Sequence, residues 1–406
     1  MTTTTHTYTA TDDVSALADR ARATGRMALD VEFLWERTYA PIPCLAQVAV
    51  GDEIALIDPI EGASLQPIAD VLEDPSVEII MHAPSADLIL FALGFNARPT
   101  NLLDSQLIGG FVGLGSGQSL GALLSRVLGV KVAKTEGYSD WSRRPLTDAQ
   151  LEYAAADVAH LFAMVDELMK RATEMGRAEW VREEHERRFG PDARIAQDPW
   201  LAWRKVKGQG RLTPPERAAL RRAAAWREEE ARRRDRPVGW LIPDRTLIEV
   251  ARRRPSTPAK LLAERGVPAA LKEREAAGLI EAMEMSADDA PITLGPPPPA
   301  AVQARLDTLV PLAQVLLGAR AAAVDLAPTL VATRDEVESF LIAVLTGGDG
   351  ADEALGERLA GDDRPLPVGD GEINRLASHA LGPGVSPRRR LGQVNVASPL
   401  GDERIR

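Results

Sequence analysis

Two acids at alternate positions in a short apolar stretch are the first residues able to do chemistry. Asp30 and Glu32 lie within residues 29–33. In a β-strand, residues i and i+2 share a face, so both carboxylates point one way while their neighbours point into the core. Adjacent buried acids repel each other and lose hydration, and a bound divalent cation removes both penalties. The alternative interpretation is an ordinary solvent-facing strand edge.

Two later stretches carry an acid or a phenol at comparable positions. Asp87 follows the turn at Ala83-Pro84 and falls in the first turn of a predicted helix. An acid there can also simply favour the helix dipole. Tyr153 and Asp157 stand at i and i+4 of a predicted helix, so they share one face, with three alanines between them. Their alternative interpretation is a core aromatic residue beside a surface acid.

Oxygen-only ligands suit Mg²⁺ or Mn²⁺, and four carboxylates can hold two such ions about 3.5–4 Å apart. The four are Asp30, Glu32, Asp87 and Asp157. In a two-metal site one ion generates hydroxide from water, and the other stabilises the leaving oxygen of a phosphodiester. A tyrosine such as Tyr153 can orient the attacking water, so no histidine base is required. A site of this kind would be suited to phosphodiester hydrolysis.

The surrounding patterns predict the elements that must position these residues. β-Rich runs predict strands at residues 27–33, 45–50, 54–58 and 77–81. Gly51-Asp52 predicts a hairpin turn between the second and third strands. Helical patterns cover residues 86–93, 119–128 and 147–169. The last begins with a capping box, Thr147 and Gln150. Strands first and helices after predict an α/β fold with a mixed sheet flanked by helices.

The ordered set of acids with Tyr153 resembles the tyrosine-bearing branch of the DEDD superfamily of 3′→5′ exonucleases. Further segments are similar to those of the ribonuclease D family, at residues 37–39, 55–59, 103–107, 140–146 and 150–158. The resemblance covers about residues 10–190 and implies a ribonuclease H-like fold. It implies that the four carboxylates are metal ligands and that Tyr153 orients the attacking water. His82 lies too early in the chain to be the base and is interpreted as a strand-end residue.

The charge distribution separates a second region. The chain of 406 residues has a net charge of −11, yet residues 203–278 hold 20 Lys+Arg against 10 Asp+Glu. Lysine and arginine side chains contact the phosphates of a nucleic acid whatever its base sequence. A solvated arginine-rich surface, with Glu228–Glu230 as partners, is the alternative. Residues 236–251 resemble an HRDC domain, a helical module, and residues 300–382 are similar to a second, degenerate copy.

These patterns predict an α/β exonuclease domain followed by all-α HRDC-type domains. The predicted segments are the exonuclease domain at 1–195, the HRDC domain at 205–287, a Pro-rich linker at 288–300, a second, degenerate HRDC-like helical domain at 301–385, and a disordered tail at 386–406. No stretch approaches the ~18 uncharged apolar residues of a membrane span, and the N-terminus does not have the form of a secretory signal. Cys44 is the single cysteine, which excludes internal disulfides and fits a reducing cytoplasm. We therefore expect a cytoplasmic protein without a membrane or disulfide-linked partner.

The resemblance implies a 3′→5′ exoribonuclease that trims RNA 3′ ends, including those of tRNA precursors, with two Mg²⁺ or Mn²⁺ ions and releases 5′-mononucleotides. A same-fold exonuclease acting mainly on DNA is one alternative, and a catalytically weak RNA-binding or scaffold protein is another. The complete acidic set with Tyr153 argues against the scaffold. The residues expected to contact RNA are Trp141, Arg144, Lys205, Lys207, Arg232 and Arg233.

Overall fold

A mixed six-stranded sheet carries the first part of the chain. The computed structural model describes residues 4–132, 139–190, 193, 198–284, 291–292 and 298–346. The strands are β1 (Thr4–Tyr8), β2 (Arg26–Leu34), β3 (Ile42–Val50), β4 (Glu53–Ile57), β5 (Glu78–Met81) and β6 (Leu102–Asp104), in the order β1-β4-β3-β2-β5-β6. β3 runs antiparallel to β2 and β4, and the other pairs are parallel. The predicted mixed sheet is confirmed, although the sequence patterns missed β1 and β6.

Helices follow and flank these strands. In the first 190 residues they are α1 (Thr11–Thr24), α2 (Gln66–Leu72), α3 (Ser85–Gly94), α4 (Ser105–Phe111), α5 (Leu120–Val127), α6 (Asp148–Ala159), α7 (Leu161–Glu174) and α8 (Ala178–Phe189). The later helices are α9 (Pro214–Arg234), α10 (Val238–Leu241), α11 (Asp244–Arg253), α12 (Pro258–Leu262), α13 (Glu273–Glu284), α14 (Ala300–Ala323) and α15 (Arg334–Thr346). Short 3-10 helices cover Pro199–Lys205, Gln209–Arg211 and Pro328–Leu330.

The single helix predicted over residues 147–169 is wrong, because the chain breaks it at His160. That residue has φ −116° and ψ 3°, outside the helical range, and separates α6 from α7. Neither glycine nor proline marks the break, and the buried Val158 and Leu161 continue the apolar pattern across it. The predicted capping box of Thr147 and Gln150 is present at the start of α6.

The chain separates into two compact units. The first comprises Met1–Ser105, Ser119–Lys170 and Ala178–Gly295, and the second comprises Gln106–Gln118, Arg171–Arg177 and Pro296–Arg406. The first unit holds the whole sheet together with α9–α13, whose own apolar core includes Trp203, Leu220, Leu247 and Leu279. The predicted domain boundaries stay predictions, and the tail predicted at 386–406 lies outside the described residues.

In the second unit, α14 and α15 pack around a small core of Leu306, Val310 and Val337. By length and composition alone, the 24-residue α14 would be long and apolar enough to cross a membrane. The sequence-based expectation concerned an uncharged stretch, whereas α14 contains Arg305, Asp307 and Arg320, so that expectation is not contradicted. Core helices of soluble proteins satisfy the same criterion, so the composition of α14 assigns it no membrane.

Within the first unit, the loop after β2 is fastened to the end of α9. Asp235, which caps α9 in the left-handed conformation (φ 48°), accepts hydrogen bonds from the backbone N–H groups of Tyr39 (3.0 Å) and Ala40 (3.3 Å). The Tyr39 hydroxyl donates to Glu228 Oε1 at 2.9 Å, and the Arg232 guanidinium lies 5.6 Å from the centroid of its ring. A cation over an aromatic face adds attraction. The strand that carries Asp30 and Glu32 thus leads directly into a contact with the helical region.

Candidate active site

Strand β2 presents Asp30 and Glu32 on one face of the sheet. The alternate residues Leu29 and Val31 are buried, as the two-residue period of a strand requires. Both acids are themselves half-buried. Neither is therefore a freely hydrated residue at an outer edge, because β2 is flanked by β3 on one side and β5 on the other.

Helix α6 brings a third carboxylate to the same face. One carboxylate oxygen from each of Asp30, Glu32 and Asp157 lies within 4.8 Å of the others. α6 packs against β2, β3 and β4, and the fully buried Ala154 on α6 leaves room for this close approach. Residues that are more than a hundred positions apart in sequence therefore form one cluster, which we call the carboxylate cluster.

Asp87 lies beside the carboxylate cluster. It occupies the first turn of α3, as predicted, and is only 7% exposed. Burial raises the pKa of Asp87 well above its usual value, and the charges of Asp30 and Glu32 raise it further. A solvent-facing helix cap would be hydrated, whereas this carboxylate is dehydrated and faces other acids.

Among the described residues, no cationic side chain offsets the charges of Glu32 and Asp157 in the carboxylate cluster. Burial, followed by the charge of Asp30, raises the pKa of Glu32 to about 8. The pKa of Asp157 is also raised to about 8, first by burial and then by Asp30 and Glu32. Burial raises the pKa of Asp30 to about 6. At neutral pH the cluster therefore holds protons that a cation would displace, since metal ligation requires deprotonated carboxylates.

This donor set fits a divalent metal ion. Carboxylate oxygens are the ligands that Mg²⁺ and Mn²⁺ prefer, and the three mutually close oxygens can converge on one ion. The adjacent Asp87 offers a further carboxylate. A cation at this position would offset both the repulsion and the lost hydration of the four acids.

Tyr153 lies on α6, one turn before Asp157. Its ring centroid is 6.1 Å from that of Trp141, with the planes inclined at 41°. Burial raises the pKa of Tyr153 to about 12, and the charges of Asp157, Glu32 and Asp30 contribute. The phenol therefore stays protonated at neutral pH. It presents a hydroxyl beside the carboxylate cluster that can both donate and accept a hydrogen bond.

Two of the residues predicted to contact RNA, Trp141 and Arg144, have little exposed surface, and their RNA contacts stay a prediction. Trp141 is only 3% exposed and packs against Tyr153. Arg144 forms an ion pair with the buried Asp58 at 2.6 Å and donates to the carbonyl oxygens of Trp141 and Cys44. These contacts of Trp141 and Arg144 pack and position the segment that precedes α6.

The other four residues predicted to contact RNA are exposed and lie in the helical region. Lys205 and Lys207 are at the end of the 3-10 helix Pro199–Lys205 and just after it. Arg232 lies over the Tyr39 ring, and Arg233 pairs with Glu230 at 2.5 Å. None of the four belongs to the carboxylate cluster, and their RNA contacts stay a prediction.

Two buried polar residues of the sheet region were not singled out from the sequence. Asp58, which is 3% exposed, anchors Arg144 from the end of β4. Gln47 is fully buried on β3, opposite Asp30. The only available signal was a polar residue interrupting an apolar strand run, and that signal does not identify a partner on another element.

Comparisons with known proteins agree with this architecture. A family model described as 3′-5′ exonuclease matches residues 5–173, and an HRDC domain model matches residues 216–283. The ribonuclease D of Gluconacetobacter diazotrophicus is 33% identical over 346 residues, covering 82% of this chain and 85% of that protein. The ribonuclease D of Granulibacter bethesdensis is 34% identical over 336 residues, covering 81% and 84% respectively.

Among solved structures, Escherichia coli RNase D, described as an exoribonuclease involved in structured RNA processing, superposes with a TM-score of 0.69 at 25% identity. The match covers 88% of this chain and 98% of that one. A protein from Bifidobacterium adolescentis superposes with a TM-score of 0.59 at 19% identity, which shows a shared fold alone.

Proposed function

Because the chain belongs to the ribonuclease D family and is a metal-dependent 3′→5′ exoribonuclease, we propose that Asp30, Glu32, Asp87 and Asp157 hold its metal ions. We propose two ions, either Mg²⁺ or Mn²⁺. The supporting observation is the approach of three carboxylate oxygens to within 4.8 Å of one another, with Asp87 beside them. When bound, the ions supply positive charge that stabilises the phosphodiester transition state and acidifies water.

The chain's own residues divide the remaining tasks. The four carboxylates fix the ions and, being half-buried or buried, exclude part of the surrounding water. The protonated phenol of Tyr153 orients the attacking water through its hydroxyl. Trp141 packs against Tyr153 and limits the positions of its ring. This arrangement needs no histidine base, in agreement with the position of His82 directly after β5, where its Nδ1 lies 2.8 Å from Ser105 Oγ.

The proposed substrates are RNAs with a free 3′ end, and among them tRNA precursors. Support comes from the E. coli relative, whose description names structured RNA processing. The exposed Lys205 and Lys207 offer cations for phosphates. The expected products are 5′-mononucleotides.

The experiment compares a 3′-tailed tRNA precursor with a DNA of matched sequence, in the presence of Mg²⁺, Mn²⁺ or EDTA. We expect stepwise shortening of the RNA from its 3′ end with either metal and none in EDTA. Asp157→Asn should lose this activity, whereas Glu152→Gln, an exposed neighbour on α6, should retain it. Faster cleavage of DNA than of RNA would contradict the proposed substrate, and near-normal turnover by Asp157→Asn would contradict the proposed site.

Tyr153→Phe tests the role of the phenol separately. The loss of the hydroxyl should lower kcat by about 10²–10⁴-fold, because the hydrogen bond acts mainly in the transition state. RNA affinity should change little. An unchanged kcat would return Tyr153 to the role of a packing aromatic residue.

A further inference from the structure

Gln47 is a buried amide for which no partner is found among the described residues. Its side chain is fully buried, and neither Nε2 nor Oε1 has a hydrogen-bond partner in the part of the chain that the structure describes. Native proteins rarely leave a buried amide in this state, because burial removes its bonds to water without replacement. The residue therefore needs an explanation that its immediate packing does not supply.

The register of the sheet places Gln47 beside the proposed metal site. On β2 and β3, Asp30 and Gln47 are direct antiparallel partners, so their side chains stand on the same face. Directly opposite residues in such a pair have Cβ atoms about 4.5–5.5 Å apart. Since Asp157 on α6 meets Asp30, α6 lies over this face. The amide is thus enclosed next to the carboxylate cluster.

Paired residues on neighbouring strands form a row of side chains across the sheet. In the row that contains Gln47, one neighbour of the amide is ionisable. On its other side, Gln47 is paired with Leu56 of β4, which is apolar and buried. Leu56 can neither donate to nor accept from the amide. Asp30 is the remaining member of the row Asp30–Gln47–Leu56, and its carboxylate is an acceptor that gains strength when it is charged.

We propose that Gln47 is a positioning residue that donates an N–H of its side-chain amide to the Asp30 carboxylate when that carboxylate binds the metal. This inference rests on the metal site proposed above. A metal-binding carboxylate has one oxygen directed at the ion and lone pairs left over, and a neighbouring donor fixes its orientation. Gln47 has the required donor, on the same face, in a position from which water is excluded. On this proposal, the amide gains its hydrogen-bond partner only in the metal-loaded state.

The test uses the full chain and measures Mn²⁺ binding by calorimetry together with thermal unfolding in EDTA. Gln47→Met has nearly the shape of the native residue but no donor. We expect it to weaken Mn²⁺ binding by about 10–100-fold. In EDTA its Tm should equal or exceed that of the wild type, because an unsatisfied amide has been replaced by an apolar group. Gln47→Leu serves as a second variant with the same expectation, should Gln47→Met fail to fold.

Thr100→Val is the matched control, since Thr100 Oγ1 is also buried without a hydrogen-bond partner among the described residues but is not a register partner of the acids. Its Mn²⁺ affinity should equal that of the wild type. Mn²⁺ binding by a folded Gln47 variant within twofold of the wild type would overturn the proposal, as would a lower Tm in EDTA with unchanged affinity. Failure of the wild type itself to bind Mn²⁺ would instead overturn the proposed metal site, so the two failures are distinguishable.

Discussion

Buried charged side chains repel one another in the carboxylate cluster, whereas the buried arginines of helix α9 are paired with acceptors. In the cluster, Asp30, Glu32 and Asp157 lie close together, and burial raises all three pKa values. The charge of Asp30 raises the pKa values of Glu32 and Asp157 further. On α9 the buried cations have partners. Arg227, only 4% exposed, donates to Asp244 and to the carbonyl oxygen of Ile242. Buried charge without an opposite partner identifies a candidate ligand site, whereas paired charge is typical of a structural role.

The pairing on α9 reduces the number of arginines in the helical region that are available to bind phosphates. Arg217 is buried and donates to the carbonyl oxygens of Leu212 and Ile292, while Arg233 and Arg234 both pair with Glu230. Arginines that are already paired have less to offer a phosphate. The alternative raised from the sequence, in which glutamates of α9 serve as partners for its arginines, therefore holds for Glu230.

The largest expected effect comes from removing one charge of the cluster. Asp30→Asn should lower RNA cleavage by about 10³-fold or more, because a ligand worth several kcal/mol to the transition state is removed. In EDTA the same variant should unfold at a higher temperature than the wild type, since the repulsion among the acids is reduced. Turnover assays and calorimetry measure the two effects. A variant that is both active and destabilised would mean that Asp30 is a structural acid.

The opposite pattern is expected on α9. Arg227→Met should lower the free energy of unfolding by about 1–3 kcal/mol, because the Ile242 carbonyl loses its donor in a buried position. Turnover of a short single-stranded RNA should change little. Arg233→Met is the control: its side chain is 62% exposed, and its removal should alter stability by no more than about 0.5 kcal/mol. Equal losses for the two variants in denaturant titrations would show that burial does not separate these arginines.

The pH dependence of stability should show the uncompensated acids directly. Glu32 and Asp157 have pKa values of about 8 in the metal-free fold, well above the ~4 of unfolded carboxyl groups. The folded state therefore binds more protons at these two groups between these values, and their contribution to stability falls as pH rises from about 4 to 8. We expect the Tm in EDTA to fall across this window and Mg²⁺ to reduce the fall. A Tm that rises with pH between 5 and 8 would contradict the raised pKa values.

The smallest expected effect concerns the exposed lysines. If each lysine neutralises one RNA phosphate, Lys205→Gln with Lys207→Gln should make the slope of log affinity against log salt shallower by about 0.7–0.9 per phosphate left without its cation. Arg233→Gln, which removes a cation already paired with Glu230, should change the slope less. Salt titrations of RNA binding measure both variants. Identical slopes for the wild type and the double variant would show that residues other than these two lysines contact the RNA phosphates.

Local patterns predicted the parts of the site that lie close together in sequence. The alternation around Asp30 and Glu32, and the spacing of Tyr153 and Asp157, follow from the periods of a strand and a helix. The meeting of β2 with α6 came only from the family resemblance, because no local rule joins residues so far apart. The burial of Trp141 and the pairing of Arg144 with Asp58 were missed for the same reason.

Other failures have local causes. The three residues of β6 are too few for a recognisable alternation, and β1 is rich in threonine instead of apolar residues. The break at His160 has no glycine or proline to announce it. Gln47 appears in the sequence as one polar residue in an apolar strand, and only the pairing register shows that Asp30 is its neighbour.

The contact between Tyr39 and Asp235 has a consequence for synthesis on the ribosome. The two residues are 196 positions apart, so the loop after the catalytic strand gains its anchor only when the end of α9 has emerged. At roughly 5–20 residues per second, that delay is on the order of 10–40 s. By then Asp30, Glu32, Asp87 and Asp157 have all been made. A nascent chain thus passes through an interval in which it has every proposed metal ligand while the loop beside them is still unanchored.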